Sequence, residues 1–458
     1  MAEYSSFRRD ILSAYLASGA KIVSWVVVSA IVYRVDGAAA FGILSLIRGT
    51  IGLLNYVSLG LGPAMVRMMA EAPSREPANP GRVLAYYGAE PPGSLRALYS
   101  NAVSFGSMTG LIALVALFVY SRTFSRLHQV PSDLGSEAFL AVGLMGGGLL
   151  LRLISDAPGA VLQTNHRIAK DNYLLFEAEI VWVLFTSALM FSRALHSSAL
   201  AHAVLGYAVA SFFLMFRRVS EAQAIVGRPY WALDIPVIKQ ILHIGGLVTL
   251  AQLADFLYAP MDYILINHFL GPRAVATYAP AIQIDSGMLL LVAGIAAVLF
   301  PRSAVAHSAG DVAAVRKYYL RGTLASAVIL LIASVIVWAV APLLFRLWLG
   351  NPMPATRQIL PLVLIHTTIG GSAMVGRSVL LAAGKFTPFA ISVLLTGAIN
   401  VIFSFIFVKY FQLGLAGIIY GTIIAVVSRC LLWMPWYVMK SLREVREIPA
   451  EVVETPMV

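Results

Sequence analysis

The chain has 458 residues, of which 59% are hydrophobic and 12% charged, with a formal net charge of +11. Its mean hydropathy is +0.82, which excludes an ordinary soluble enzyme. The lone cysteine, Cys430, excludes an intrachain disulfide and a cysteine metal cluster.

In chain order, Arg8 and Arg9 precede an apolar run that continues past Lys21 to Tyr33. That run is read as a first membrane helix rather than a signal peptide. A spanning helix needs about 20 apolar residues. Such blocks recur at 11–34, 40–66, 97–121, 137–163, 172–192, 198–216, 241–268, 273–300, 318–345, 358–383, 387–409 and 414–438. None shows the period-two alternation of a membrane β-barrel, so the expectation is an all-α polytopic membrane protein with about 12 transmembrane helices.

With a cytoplasmic N-terminus, twenty of the 33 Lys and Arg residues fall on the inner side and eight on the outer. This bias places both termini in the cytoplasm. It also explains the positive charge without nucleic acid.

The connection 217–239 separates six spans from six, giving an N-terminal lobe, 1–228, and a C-terminal lobe, 229–458. Asp36-Gly37 and Phe41-Gly42 after the first span are echoed by Leu270-Gly271 and Val275-Ala276 after the seventh. The following helices end near Pro63 with Arg67 and near Pro301 with Arg302. Duplicated halves of this kind place substrate between lobes and permit alternating access.

Asp262, Leu270-Gly271, Val275, Tyr278 and Pro301 follow one another in an order that resembles the seventh and eighth helices of the polysaccharide flippases. These belong to the multidrug, oligosaccharidyl-lipid and polysaccharide exporter superfamily. The run Val379-Leu380-Leu381-Ala382-Ala383-Gly384-Lys385, followed by Pro388, resembles the exit of their tenth helix. The resemblance implies two six-helix bundles, a V-shaped central cavity and a place in the bacterial cytoplasmic membrane. It also implies movement of an undecaprenyl-pyrophosphate-linked oligosaccharide from the inner to the outer leaflet. The partners it implies are that lipid-linked oligosaccharide, membrane lipids and other polysaccharide assembly proteins. No cofactor or metal is expected beyond a coupling cation, Na+ or H+.

Charges inside the spans cost roughly 2.5–3.5 kcal/mol each at a helix centre and mark functional positions. Lys21, Arg48, Arg152 and Arg377 are the candidates for neutralising a pyrophosphate, to which Arg offers a two-pronged fork. The competing reading is packing. Asp156 lies four residues beyond Arg152, on the same helix face, and an ion pair between them is expected. Lys21 and Arg48 have no acid within their own spans, which favours a cavity. Arg377 stands between ligand and interfacial snorkelling, and Arg429 between ligand and packing.

Asp255, Asp285 and Asp262 are the candidates for ion coupling. Their alternative roles are neutralising Lys21 or Arg48 and, for Asp262, anchoring a turn. Glu177 and Glu179 are expected in solvated positions. His202, His243 and His366 lack ligand spacing and read as packing residues.

Two further classes remain. A cation-coupled multidrug exporter of the same architecture would favour an acidic or aromatic cavity over a basic one. A membrane polysaccharide polymerase or glycosyltransferase would need a large outer loop or a pair of catalytic carboxylates, and the outer connections are short. No enzymatic activity is expected.

Overall fold

The computed structural model describes residues 2–52, 54, 61–71, 94–128, 130–131, 134–192 and 198–446. These are almost entirely helical, and among them no strand occurs. The chain divides into two compact units, Met1–Leu253 with Gly271–Ala276, and Ala254–Leu270 with Thr277–Val458.

The first unit contains α1 (Ala2–Ile51), α2 (Leu61–Glu71), α3 (Leu95–Leu127), α4 (Gly135–Ile154), α5 (Asp156–Thr164), α6 (Ile168–Ser192) and α7 (Ala199–Val226). Most of α8 (Ile235–Phe256) also belongs to it. Helix α1 is two helices meeting at Gly37, whose φ of 84° and ψ of −174° only glycine adopts freely. Asp36, beside that break, accepts the amide of Leu200 at 2.7 Å, in the first turn of α7. Gly271, the matching glycine of the sequence echo, has a φ of 82°.

Helix α3 presents a polar edge that ties down the incoming connection. Ser100 and Ser104 accept the amides of Tyr230 and Ala232 at 3.2 and 3.0 Å. Asn101 exchanges two bonds with Asp234, at 2.6 and 2.8 Å. Below that edge Leu61, Met65, Tyr99, Ala102, Ala160 and Ile241 form a closed core.

The second unit contains α9 (Ala259–Leu270), α10 (Pro272–Ser308) from Thr277 onward, α11 (Val312–Leu349), α12 (Pro354–Ser372), α13 (Met374–Ala382), α14 (Phe386–Lys409) and α15 (Gly414–Val427). A π-helical turn, Ser428–Trp433, leads into α16 (Met434–Arg446). Val315, Tyr319, Val379, Phe389, Val426 and Met434 form its core.

Among the described residues, ten helices are long and apolar enough to cross a membrane. The first contains the Gly37 break and accounts for two passes. The broken pair α8–α9 supplies another, giving about twelve. Among the described residues, three expected spans are broken by a short turn, 137–163 at Ser155, 241–268 at Leu257–Tyr258 and 358–383 at Ala373, and a fourth, 40–66, is divided between α1 and α2. A break frees backbone groups that have no water to bond inside a bilayer. At Leu257 the side-chain amide of Asn400 supplies the missing donor, at 2.9 Å from the carbonyl oxygen.

Candidate functional site

Three of the sequence-selected cations meet in the first unit. Lys21 and Arg48 from α1 and Arg152 from α4 line one pocket of about 220 Å3, together with Trp25, Glu179, Trp182 and Tyr207. The aromatic residues brace the guanidinium groups. Arg48 lies 3.9 Å from the centre of the Trp25 ring and Arg152 4.7 Å from that of Tyr207. Trp182 joins the two braces, 6.1 Å from Trp25 and 5.2 Å from Tyr207. Its indole N–H donates to the carbonyl of Ala203 at 2.9 Å. A desolvated cation–π contact contributes about 2 kcal/mol, so these rings hold positive charge where hydrocarbon would repel it.

The single carboxylate of this pocket is Glu179, which is buried and not solvated as its sequence position suggested. Its Oε1 pairs with Arg152 Nη1 at 2.8 Å, and its Oε2 accepts the Ser24 hydroxyl at 2.5 Å. The expected Arg152–Asp156 pair is overturned by the break at Ser155, which carries Asp156 onto a separate helix. Asp156 instead lies 3.7 Å from Arg218. Arg218 is itself held in a fork by Asp171 at 2.7 and 3.0 Å. Arg152 also donates through Nε to Ser211 at 3.1 Å. Its buried Nη2 has no hydrogen-bond partner among the described residues.

The second unit has a pocket of different character, about 280 Å3. It is lined by Asp262, Asp285, His366, Arg377 and Arg429, together with Tyr258, Tyr278 and Thr422. Asp262 is fully buried and accepts three neutral donors: Tyr278 at 2.9 Å, Asn400 at 3.0 Å and Thr422 at 3.0 Å. Those donors come from α10, α14 and α15, so one carboxylate on α9 gathers four helices. Asp285 accepts Thr367 at 2.6 Å and lies 3.9 Å from His366. Arg377 sits 5.5 Å from the centre of the Phe389 ring, and Arg429 5.0 Å from that of Tyr258.

The structure thus brings Lys21, Arg48 and Arg152 together in one unit, and Asp262, Asp285 and Arg377 together in the other. The side chain of Asp255 lies outside the described residues. Sequence reasoning missed Trp25, Glu179, Trp182 and Tyr207. The spacing of Lys21 to Trp25 and of Glu179 to Trp182 places each pair on one helix face, a signal that was readable. Among the described residues no cluster of His, Cys, Asp and Glu suited to a metal ion occurs.

A family profile described as "Polysaccharide biosynthesis protein" matches residues 94–355, more than half of the chain. The chain belongs to that family. It is 23% identical over 424 residues to the uncharacterized membrane protein EpsK of Bacillus subtilis (strain 168), covering 88% of this chain and 77% of that one. Its fold is that of the MOP superfamily. A multidrug resistance MATE family transporter in its inward-facing conformation superposes with a TM-score of 0.71 at 17% identity, over 92% of this chain and 96% of that chain. A MOP superfamily transporter from Pyrococcus furiosus, described for the reverse polarity of its binding pocket, gives a TM-score of 0.62 at 12% identity, over 96% of each chain. The family member described here is therefore an all-α, multi-pass membrane protein.

Proposed function

We propose that this protein is a flippase. It carries an undecaprenyl-pyrophosphate-linked oligosaccharide from the inner to the outer leaflet of the bacterial cytoplasmic membrane by alternating access, with both termini in the cytoplasm. It works beside other proteins of cell-surface polysaccharide assembly and catalyses no bond-making step.

The observation that carries this reading is the pocket that brings Lys21, Arg48 and Arg152 into one wall, in which Glu179 is the one carboxylate among the lining residues. Gathering three basic side chains among apolar helices is costly, and a bound anion lowers that cost. The unpartnered Nη2 of Arg152 is a donor of the kind a phosphate oxygen accepts. Membership of a polysaccharide biosynthesis family supports the glycan part of the substrate.

Lys21 and the two arginines take up phosphate charge while the head leaves water. Glu179 holds Arg152 in place and weakens the grip enough for release. In the second unit Asp262 and Asp285, with Asp255 on the preceding helix, are the carboxylates assigned to a coupling Na+ or H+.

Flipping of a fluorescent lipid-pyrophosphate sugar in proteoliposomes tests the reading. Each charge-assisted contact is worth about 1.5–3 kcal/mol, so Lys21→Ala and Arg48→Ala should each slow flipping about tenfold to a hundredfold. Wild-type rates in both variants would overturn it.

A second reading, a cation-coupled multidrug exporter, is favoured by the carboxylates Asp262 and Asp285 lining the pocket of the second unit. It draws support from the likeness to MATE transporters. Under that reading Arg48→Ala leaves transport of a cationic dye intact and Asp285→Asn abolishes it.

A further inference from the structure

Between α1 and α6 the first unit carries an apolar groove of about 470 Å3, open on one side and lined by Tyr15, Gly19, Val23, Phe176, Ile180 and Leu184 among others. The groove wall from Tyr15 to Val27 covers about 18 Å of helix at 1.5 Å per residue. Its volume lies in the range of about 300–1,000 Å3 usual for small-molecule sites. Several lining residues face outward, Val23 at 60% and Leu184 at 63% exposure. In a membrane helix such side chains meet hydrocarbon.

Glu179 distinguishes this groove from an ordinary lipid-facing depression. That buried carboxylate lines the groove and also lines the cationic pocket. A single side chain, fastened by Ser24 on α1 and Arg152 on α4, therefore stands where an apolar channel meets a site for negative charge. The apolar groove between α11 and α12, about 440 Å3 and lined by Leu331, Val335, Trp338, Pro361 and Ile365 among others, has no charged residue in its wall.

From this shared wall we infer that the α1–α6 groove is the seat of the lipid tail. The first isoprene units of a polyprenyl pyrophosphate lie along Gly19 and Val23, while the head group occupies the pocket of Lys21, Arg48 and Arg152. The inference rests on the flippase reading and adds a lateral subsite to it. A long hydrocarbon chain then never leaves the bilayer, and only the polar head is carried across. The Ser24–Glu179 bond is the point that must yield as the head passes from groove to pocket.

Gly19 is the place to test it, because a Cβ added there meets no atom within 4 Å and a large side chain has room to fill the groove. Full-length protein in nanodiscs is titrated with undecaprenyl pyrophosphate and, separately, with inorganic pyrophosphate, which has no tail. Gly19→Trp should weaken undecaprenyl pyrophosphate binding about tenfold, the effect of displacing roughly two methylene groups. It should leave inorganic pyrophosphate binding within about twofold, and Gly19→Ala should change neither. Val23→Trp serves in its place where Gly19→Trp does not fold. Ile365→Trp, in the α11–α12 groove, is the control for general crowding of the bilayer.

Undecaprenyl pyrophosphate binding that is unaffected by filling the groove, with inorganic pyrophosphate still bound, overturns the tail subsite alone. An equal loss in Ile365→Trp, the mark of ordinary bilayer lipid in both grooves, does the same. Failure of the wild type to bind either pyrophosphate overturns the head-group reading and the tail subsite with it.

Discussion

The pockets of the two units are alike in size and opposite in how their charges are satisfied. In the first, Arg48 and Arg152 lean on aromatic rings, Lys21 lines the same pocket, and Glu179 is the one carboxylate in its wall. In the second, the most buried carboxylate is satisfied by a tyrosine, an asparagine and a threonine, and Arg429 and Arg377 line the same pocket over Tyr258 and Phe389. Aromatic faces stabilise a cation without neutralising it, and neutral donors do the same for an anion. Under the proposed function, the first pocket holds its positive field for the ligand, and in the second Asp262 anchors the helices around it while Asp285 is the carboxylate open to a small cation.

The sharpest way to break this contrast is to reverse the polarity of the first pocket. The double variant Lys21→Glu with Arg48→Glu should reduce flipping in proteoliposomes more than about a hundredfold, since two charge-assisted contacts become repulsions. A loss no larger than that of the single alanine variants would mean that the cations do not act on one ligand.

Next in size is the stability of the second unit. Asp262→Ala removes the acceptor of three buried hydrogen bonds, and at about 1 kcal/mol for each lost bond it should destabilise the detergent-solubilised protein by about 3 kcal/mol. Asp285→Asn keeps the shape of its side chain and should cost less than about 1 kcal/mol. Thermal unfolding of both variants measures the difference, and equal losses would remove the distinction between an anchoring and an available carboxylate.

Gly37 offers a smaller effect that bears on the repeat. No atom lies within 4 Å of a Cβ at Gly37 or at Gly271, so the penalty of substitution is that of the backbone alone. Gly37→Ala and Gly271→Ala should each cost about 1–3 kcal/mol, with similar values if the two turns are equivalent.

The smallest effect lies outside both pockets. His128, just past α3, is held by Tyr120 at 3.0 Å, and burial lowers its pKa from 6.5 to about 4. The folded state therefore binds this proton less readily than the unfolded chain. Its contribution to stability is complete above pH 6.5 and is lost as the pH falls towards 4. His128→Phe should flatten that part of the stability profile.

Much of the fold was legible because the length of apolar runs is a property of the chain alone. The turn glycines Gly37 and Gly271 were picked out by an echo in sequence, and both adopt left-handed backbone. Two of the helix breaks carry a signal that went unread, since Pro158 lies three residues beyond Ser155 and Pro260 three beyond Leu257, where each removes a helical N–H and crowds the carbonyl of the preceding turn; no proline follows Ala373 as closely.

For the site, the unusual cost of charge in oil selected Lys21, Arg48 and Arg152, and they converge. Spacing along one helix failed for Arg152, since the four-residue rule presumes an unbroken helix, and Glu179 from α6 took the place assigned to Asp156. Glu179 itself was misread because nearness to a span end was equated with access to water. The aromatic braces went unselected because tryptophan in a membrane helix suits hydrocarbon and needs no special reason.

The widened turn at Ser428–Trp433 has a consequence for how this chain tolerates change in length. An extra residue in one helical turn offsets everything after it by roughly 100°. Arg429 sits inside that turn, between a segment whose Thr422 and Val426 line the pocket and a segment whose Met434 and Val438 fill the core. A one-residue deletion there would let the helix wind regularly and would force a choice between keeping Arg429 in place and keeping the closing helix seated. The phase of the last membrane pass is thus written into one irregular turn, and single-residue length variants should be rejected there more strictly than conservative substitutions.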